Sequence, residues 1–340
     1  MHGTSDLARR FAALAALGFE RVEEEPVRRE IAPVDERTSR VVHSRPAMGT
    51  LVSVSAVVRS MDRADQAIGR AFEEMDRLVA IFSHFDESSA AAQLNLEGRL
   101  DGPPPELVRV VADAQRYHRL TRGGFDISVA PVVELFRQLR DGTLPDRADI
   151  RAALELVGAG HIEVSRRQIG FGRQGMRMTL DGIAKGYIVD AIARVLERHR
   201  IRNYLVEAGG DIRVRGSRGH GQPWLVAVQD PDKGTAFPDA IALSTGAVAT
   251  SGGYEEYYDP THEHHHIVSA NTGTSPRYAT SVTVNAPTAT AADALATSVF
   301  LMEPQAGVQL IDRLRGCECL IVGLDGTQMT TRGWRSAGPV

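Results

Sequence analysis

Apolar and polar positions first alternate cleanly where Val52, Val54 and Ala56 are separated by Ser53 and Ser55, the two-residue period of a half-buried strand beginning near Thr50. The period then changes. Ala64, Ile68, Phe72, Met75, Val79 and Phe82 recur at three- and four-residue steps, which predicts a helix with Asp62 as its cap. Behind Pro104-Pro105, the residues Leu107, Val110, Val111, Ala114 and Tyr117 repeat that spacing, and Gly123-Gly124 supplies the stop. A third helix is expected over residues 187–200. Short apolar runs at 204–207, 212–214, 224–228, 242–250 and 281–284, broken by Gly, Pro and Asp, predict strands. Helices at 292–302 and 304–314 and a strand at 319–322 complete the pattern. Strands and helices are grouped instead of strictly alternating, so the fold class is α+β, a mixed α/β domain with a largely antiparallel sheet. Residues 1–43 read as a charged, irregular N-terminal extension and 44–336 as one catalytic unit. The tail beyond Thr330 reads as frayed.

Composition narrows the function classes. With 340 residues, 43% of them hydrophobic and 24% charged, the chain can bury a large core. Lys and Arg number 39 against 43 Asp and Glu, and this near balance gives no broad footprint for nucleic acid or an anionic membrane. A small ligand or a protein partner is expected instead. Cys317 and Cys319 are too close for an easy cross-link and too few for a metal cluster, so they read as small core residues. Arg9-Arg10 before the apolar residues 11–19 has the look of a twin-arginine export signal. Glu20, Arg21 and Glu23 to Glu25 follow at once, without a small-residue cleavage site or a lipid-accepting cysteine, so the stretch reads as a short amphipathic helix and the location as cytoplasmic. No run of about 20 apolar residues predicts a membrane span.

Several segments carry oxygen, nitrogen or bare backbone suited to chemistry. Asp293 and Thr297 stand one helical turn apart, so a carboxylate and a hydroxyl project from one face and share the preference of a hard cation such as magnesium for oxygen. The plain alternative is a dipole-favoured helix-start Asp and a core-facing Thr. Leu180 to Tyr187 sets two glycines and Lys185 just before a helix, a form that presents backbone groups to an anion, though the spacing is not that of a Walker loop. A tight turn with a solvated Lys185 accounts for it equally. Glu207-Ala208-Gly209-Gly210-Asp211 lets a ligand approach backbone, or marks a bulge. In the run His262-Glu263-His264-His265-His266 no second ligand cluster completes a zinc site, and most of these imidazoles read as solvated. His266, followed by Ile267-Val268, is the one that suits a base, because imidazole titrates near neutrality.

Together these segments resemble the FAD:protein FMN transferase (ApbE) family from Arg45 to Met302. Ala47-Met48-Gly49-Thr50 is similar to the family's first strand, and Phe82-Ser83-His84-Phe85 with Ser89 and Leu94-Asn95 to its S-x-Y and S-x-x-x-x-L-N, with Phe85 where tyrosine is usual. Gly123 to Pro131 is similar to G-x-F-D-x-T-V-x-P, and Gly182 to Asp190 to G-I-A-K-G-Y-x-x-D. Gly209-Gly210-Asp211 and Ala249-Thr250-Ser251-Gly252 follow in order. His266 to Gly273 resembles H-I-I-D-P-x-T-G with Ser269-Ala270 in place of Asp-Pro, and Ala292 to Thr297 resembles the metal motif A-D-x-x-x-T.

The resemblance implies a T-fold-related domain and a magnesium-dependent transfer of FMN from FAD to a Thr or Ser hydroxyl of another protein, with AMP released. Asp293 and Thr297, with the carbonyl of Ala184, would hold Mg2+. Met48, Phe85, Gly124, Phe125, Asp126, Asp181, Lys185, Tyr187 and Ile267 would contact FAD, and His266 with Asp293 would be catalytic. The implied partner is an electron-transfer flavoprotein subunit. The alternatives are an FAD diphosphatase, if water takes the place of the acceptor, and a non-catalytic FAD-binding protein.

Overall fold

The computed structural model describes residues 28–138, 144–229, 237, 239–259 and 261–338. The twin-arginine pair and the expected N-terminal amphipathic helix lie outside these residues. The chain opens with strands β1 (Arg28–Pro33), β2 (Ser39–Ala47) and β3 (Thr50–Val58), followed by helix α1 (Met61–Phe82), α2 (Ala90–Glu97), β4 (Arg99–Asp101) and α3 (Pro105–Leu120). Next come α4 (Ala130–Arg137), α5 (Arg147–Leu154), β5 (Ile162–Val164), β6 (Gln168–Phe171) and α6 (Ala184–Arg198). Strands β7 (Tyr204–Ala208), β8 (Asp211–Arg215), β9 (Trp224–Val228), β10 (Asp239–Leu243), β11 (Thr245–Gly252) and β12 (Ala279–Ala286) precede α7 (Ala289–Phe300), α8 (Pro304–Ile311), β13 (Glu318–Gly323) and β14 (Gln328–Thr330).

Nine strands form one sheet in the order β1-β2-β3-β7-β8-β11-β12-β13-β14, every pair antiparallel, as the grouped pattern implied. Its two faces can be read along β11. Ala247 and Ala249 join the main core with α1, α6 and α7, whereas Val248 between them joins Val57, Val214, Trp224, Val226 and Ile241 under the β9–β10 pair. The main core is small-residue rich where helices meet. Ala289, Ala292, Ala294 and Ala296 of α7 are all fully buried, which lets α6 and α7 approach closely.

Several sequence expectations shift. β1 and β2 lie in the supposed irregular extension and continue the main sheet; β1 is almost wholly exposed, so no apolar alternation marks it. The α1 cap is Ser60, whose hydroxyl accepts from the Arg63 N–H, and not Asp62. The apolar run at 242–250 divides at Ser244 into β10 and β11, which belong to different sheets. α7 begins at Ala289, earlier than expected. Thr288 caps it, and the Asp190 carboxylate of α6 accepts from the N–H groups of Ala289 and Thr290 at 2.9 Å. The tail is pinned: Trp334 Nε1 and Ser336 Oγ donate to Asp239, and Thr331 is buried against Cys319. Cys317 and Cys319 are buried thiols, as expected. No described helix is long and apolar enough to cross a membrane.

The α6–α7 crossing depends on Gly186. A methyl group there would fall onto the Ala289 carbonyl oxygen and within 2.8 Å of Asp293 Cβ. Gly186→Ala is therefore expected to lower stability by about 1–3 kcal/mol through overpacking. Gly69→Ala, at an exposed α1 position with open space around it, should leave stability unchanged or raise it by up to about 1 kcal/mol. Urea unfolding of the two variants checks this, and equal midpoints would mean the crossing has slack.

Candidate active site

The site forms where the segment entering α6 runs along the face of α7. Gly182 lies against Thr297, a Cβ placed on it coming 3.2 Å from Thr297 Oγ1, and Gly186 lies against Asp293. Ala184 is midway between these two contacts, so its main chain passes along the face that carries both side-chain oxygens. Asp293 is 5% exposed and its Oδ2 accepts the Gly186 N–H at 2.9 Å. Its other oxygen takes no hydrogen bond among the described residues. Thr297 Oγ1 lies 3.2 Å from Ser251 Oγ at the end of β11.

Lys185 is half-buried and paired, not freely solvated. Its ammonium donates to the Gly209 carbonyl at 3.2 Å and lies 3.7 Å from Asp211 Oδ2, itself buried without a hydrogen-bond partner. Burial pushes both Asp211 and Asp293 above the ordinary carboxylate range. For Asp211 the attraction of Lys185 opposes this; for Asp293 the Asp211 charge adds to it, and Lys185 and the Gly186 N–H oppose it. Burial also disfavours the Lys185 charge, but Asp211, then Asp293, outweigh it and hold the ammonium above its usual value. Two carboxylates thus face one ammonium in a desolvated corner. That deficit of positive charge, with hydroxyl and carbonyl oxygens alongside, suits a hard oxygen-seeking dication. Among the described residues no group of three or more His, Cys, Asp or Glu converges on one point, so carboxylate-plus-hydroxyl is the donor set on offer.

A second polar group gathers around Asp181, which also acts electrostatically on Asp293. Asp181, 49% exposed, is 3.6 Å from His84 Nδ1 and 3.7 Å from Arg137 Nη2. Phe85 is 71% exposed, with its ring 3.9 Å from that of His84. His266 donates its N–H to the Glu256 carbonyl at 3.1 Å, and its Nδ1 is 3.5 Å from the same oxygen. A carbonyl only accepts, so this contact selects the Nδ1–H tautomer and leaves Nε2 as the free lone pair. Burial, then the neighbouring His265, lowers His266 to about 4. It does not titrate near neutrality, as the sequence suggested, but is neutral throughout that range. The remaining imidazoles are less solvated than expected: His265 is buried against Phe300 and His264 stacks on Phe136, while His262 is exposed and stacks on Tyr257.

The other sequence candidates divide. Met48 and Gly49 form the two-residue β2–β3 turn with φ of 53° and 72°, and Thr50 beyond it touches Gly209. Ile267 is buried behind His266. Phe125 and Asp126 turn inward. Phe125 packs on Tyr117, Asp126 is held by His118, Ser128 and the Ala159 N–H, and the Gly124 N–H donates to the Thr121 carbonyl at 3.1 Å, so this segment spends most of its bonding on its own loop. Tyr187 packs against Phe82 and Arg194, away from both polar groups. Arg137 and Glu256 escaped the sequence reading, and Asp211 entered it only as the end of the glycine segment, with no role of its own. Asp211 had a signal in the glycine pair before it; Arg137 and Glu256 had none, being charged residues at ordinary helix-end and loop positions.

The neutral His266 contributes stability that is full above its unfolded value of 6.5 and is lost as pH falls toward about 4, because the unfolded chain binds the proton more readily. An NMR titration of the ring should therefore show Nε2 unprotonated at pH 5.5. Titration at the free-histidine value would remove it as a neutral acceptor.

A family model described as the ApbE family matches residues 48–321. The chain is 31% identical over 281 residues, 78% of its length and 79% of the relative's, to an FAD:protein FMN transferase of Salmonella typhimurium. It is 28% identical over 319 residues, 89% of both chains, to one from Klebsiella pneumoniae. The crystal structure of the ApbE protein of Thermotoga maritima superposes with a TM-score of 0.77 at 30% identity, covering 90% of this chain and 97% of that one.

Proposed function

The chain belongs to the ApbE family, and from that premise we infer that it is an FAD:protein FMN transferase whose cleft carries the reaction between Asp293 and His266. Flavin passes from FAD to a target protein; the proposal concerns how. Asp293 Oδ1, the Thr297 hydroxyl and the Ala184 carbonyl would hold Mg2+, which when bound offsets the charge developing on the diphosphate. The acceptor is a Ser or Thr hydroxyl, by this reading on an electron-transfer subunit. Its oxygen forms the new bond to the FMN phosphorus as the phosphorus–oxygen bond to AMP breaks, leaving a phosphoester.

The chain's own groups divide the remaining work. His266 Nε2 receives the hydroxyl proton. As a weak base it acts best late, when attack has made that proton acidic. Lys185, fixed by Asp211 and Gly209, places a positive charge beside the diphosphate, and the Gly182 to Gly186 backbone passes close to it. The exposed Phe85 ring and the Met48 turn line the approach for the flavin.

The observation that carries this reading is the buried, under-neutralised Asp293–Asp211 pair beside Thr297. A protein that merely stores FAD has no need of it. Asp293→Ala should retain FAD binding and lose at least about a hundredfold in transfer, the scale of removing several kcal/mol of charge stabilisation. Covalent FMN on a co-expressed candidate acceptor, read by intact mass, is the measurement, and transfer at the wild-type rate would refute the metal assignment. EDTA should silence the wild type and Mg2+ restore it. Release of FMN and AMP without acceptor would show water competing for the same phosphorus.

A further inference from the structure

The groups around His266 are tied together by a residue that the transfer reaction, as described, leaves unused. Arg137 ends α4 with its side chain 29% exposed. Its Nη2 lies 3.7 Å from Asp181 Oδ2 and 4.0 Å from Glu256 Oε2, its Nη1 lies 3.4 Å from His84 Nε2, and its guanidinium stands 5.8 Å from the Phe85 ring. Asp181 belongs to the segment that enters α6 along the metal side. Glu256 belongs to the segment that leads to His266, and its carbonyl is the oxygen that holds the His266 N–H and ring. Asp181 and Glu256 are carboxylates on opposite sides of Arg137, and burial, then Asp181, raises the proton affinity of Glu256 while Arg137 opposes this. A cation between them offsets their repulsion and ties the two segments together.

We propose that Arg137 is a positioning residue for the transfer step: by bridging Asp181 and Glu256 it sets the Glu256 carbonyl, and through it the His266 ring, against the attacking hydroxyl. The inference rests on the transferase reading and deepens it. Arg137 has no role here as a base or a metal ligand. It acts at one remove, and its effect belongs in kcat. The charged and titratable groups facing His266 are His265 and Arg137, which disfavour its protonation, and Asp181, which favours it. Loss of the guanidinium therefore also makes His266 easier to protonate.

The test uses the full-length enzyme with FAD, Mg2+ and an acceptor protein on which the wild type installs flavin. Arg137→Met should lower kcat about ten- to a hundredfold, the penalty of a base misplaced by about an ångström, with KM for FAD little changed. The acid limb of its kcat–pH profile should move to higher pH, and Arg137→Lys should recover part of the loss. Glu256→Gln should also lower kcat. The double variant should be no worse than Arg137→Met alone, because both remove one bridge. A rise in KM with kcat intact would make Arg137 an anion-binding residue for FAD and overturn the proposal. Additive losses, or an acid limb that does not move, would overturn it too. Should Arg137→Met unfold, Glu256→Gln decides by itself, and an unchanged kcat refutes the bridge. A wild type that transfers no flavin at all would instead defeat the transferase reading, a result separable from any of these.

Discussion

The site depends on the close crossing of α6 over α7 at Gly186, where a main-chain N–H meets the Asp293 carboxylate at 2.9 Å in a setting almost free of water. The contact requires a residue without a side chain at 186 and small residues along α7, and the chain has both. It also fixes geometry. Asp190, one turn further along α6, accepts from the first N–H groups of α7, so the two helices are locked by carboxylates at two successive levels. One carboxylate is fully engaged in capping. The other has one oxygen without a hydrogen bond among the described residues, which is what qualifies Asp293 for the proposed cation role.

Charge is distributed unevenly between the Asp293 and His266 groups. On the metal side, Asp211 and Asp293 outnumber Lys185, and burial drives both carboxyls toward the neutral form. A dication would reverse this by favouring the ionised pair. On the other side a neutral His266 is held by a backbone carbonyl with its second nitrogen free. Asp181 is felt electrostatically by Asp293, Arg137, Glu256 and His266 alike, which marks it as the point where the halves meet. Under the proposed reading, a diphosphate held by Mg2+ on one side and His266 as proton acceptor on the other would give an in-line displacement its two ends.

Much of this was legible in the sequence, for reasons that differ by element. α1 and α3 announced themselves by long apolar stripes, and β3, β7, β9 and β12 by β-branched runs. β1, β4, β5, β6 and β14 are too short or too exposed to leave a periodic trace, and α4 and α5 span only about two turns each. Asp293 and Thr297 stood out because a carboxylate and a hydroxyl one helical turn apart share a face. Lys185 was located but its environment was not, since the ion pair with Asp211 joins residues brought together by strand order. The inward turn of Asp126 shows the reverse limit: a residue can sit within a functional-looking motif and spend all its bonding on the loop that carries it. The base-side cluster of Arg137, Glu256 and His84 comes from three distant segments and has no linear signature.

Asp293 is proposed to be a cation ligand, and binding reports on that role more directly than turnover. Calorimetric titration of Mg2+ into the FAD-loaded protein should show one ion bound per chain, and the same titration on Asp293→Asn, which keeps the shape but not the charge, should show none. Equal affinity in the two proteins would contradict the account.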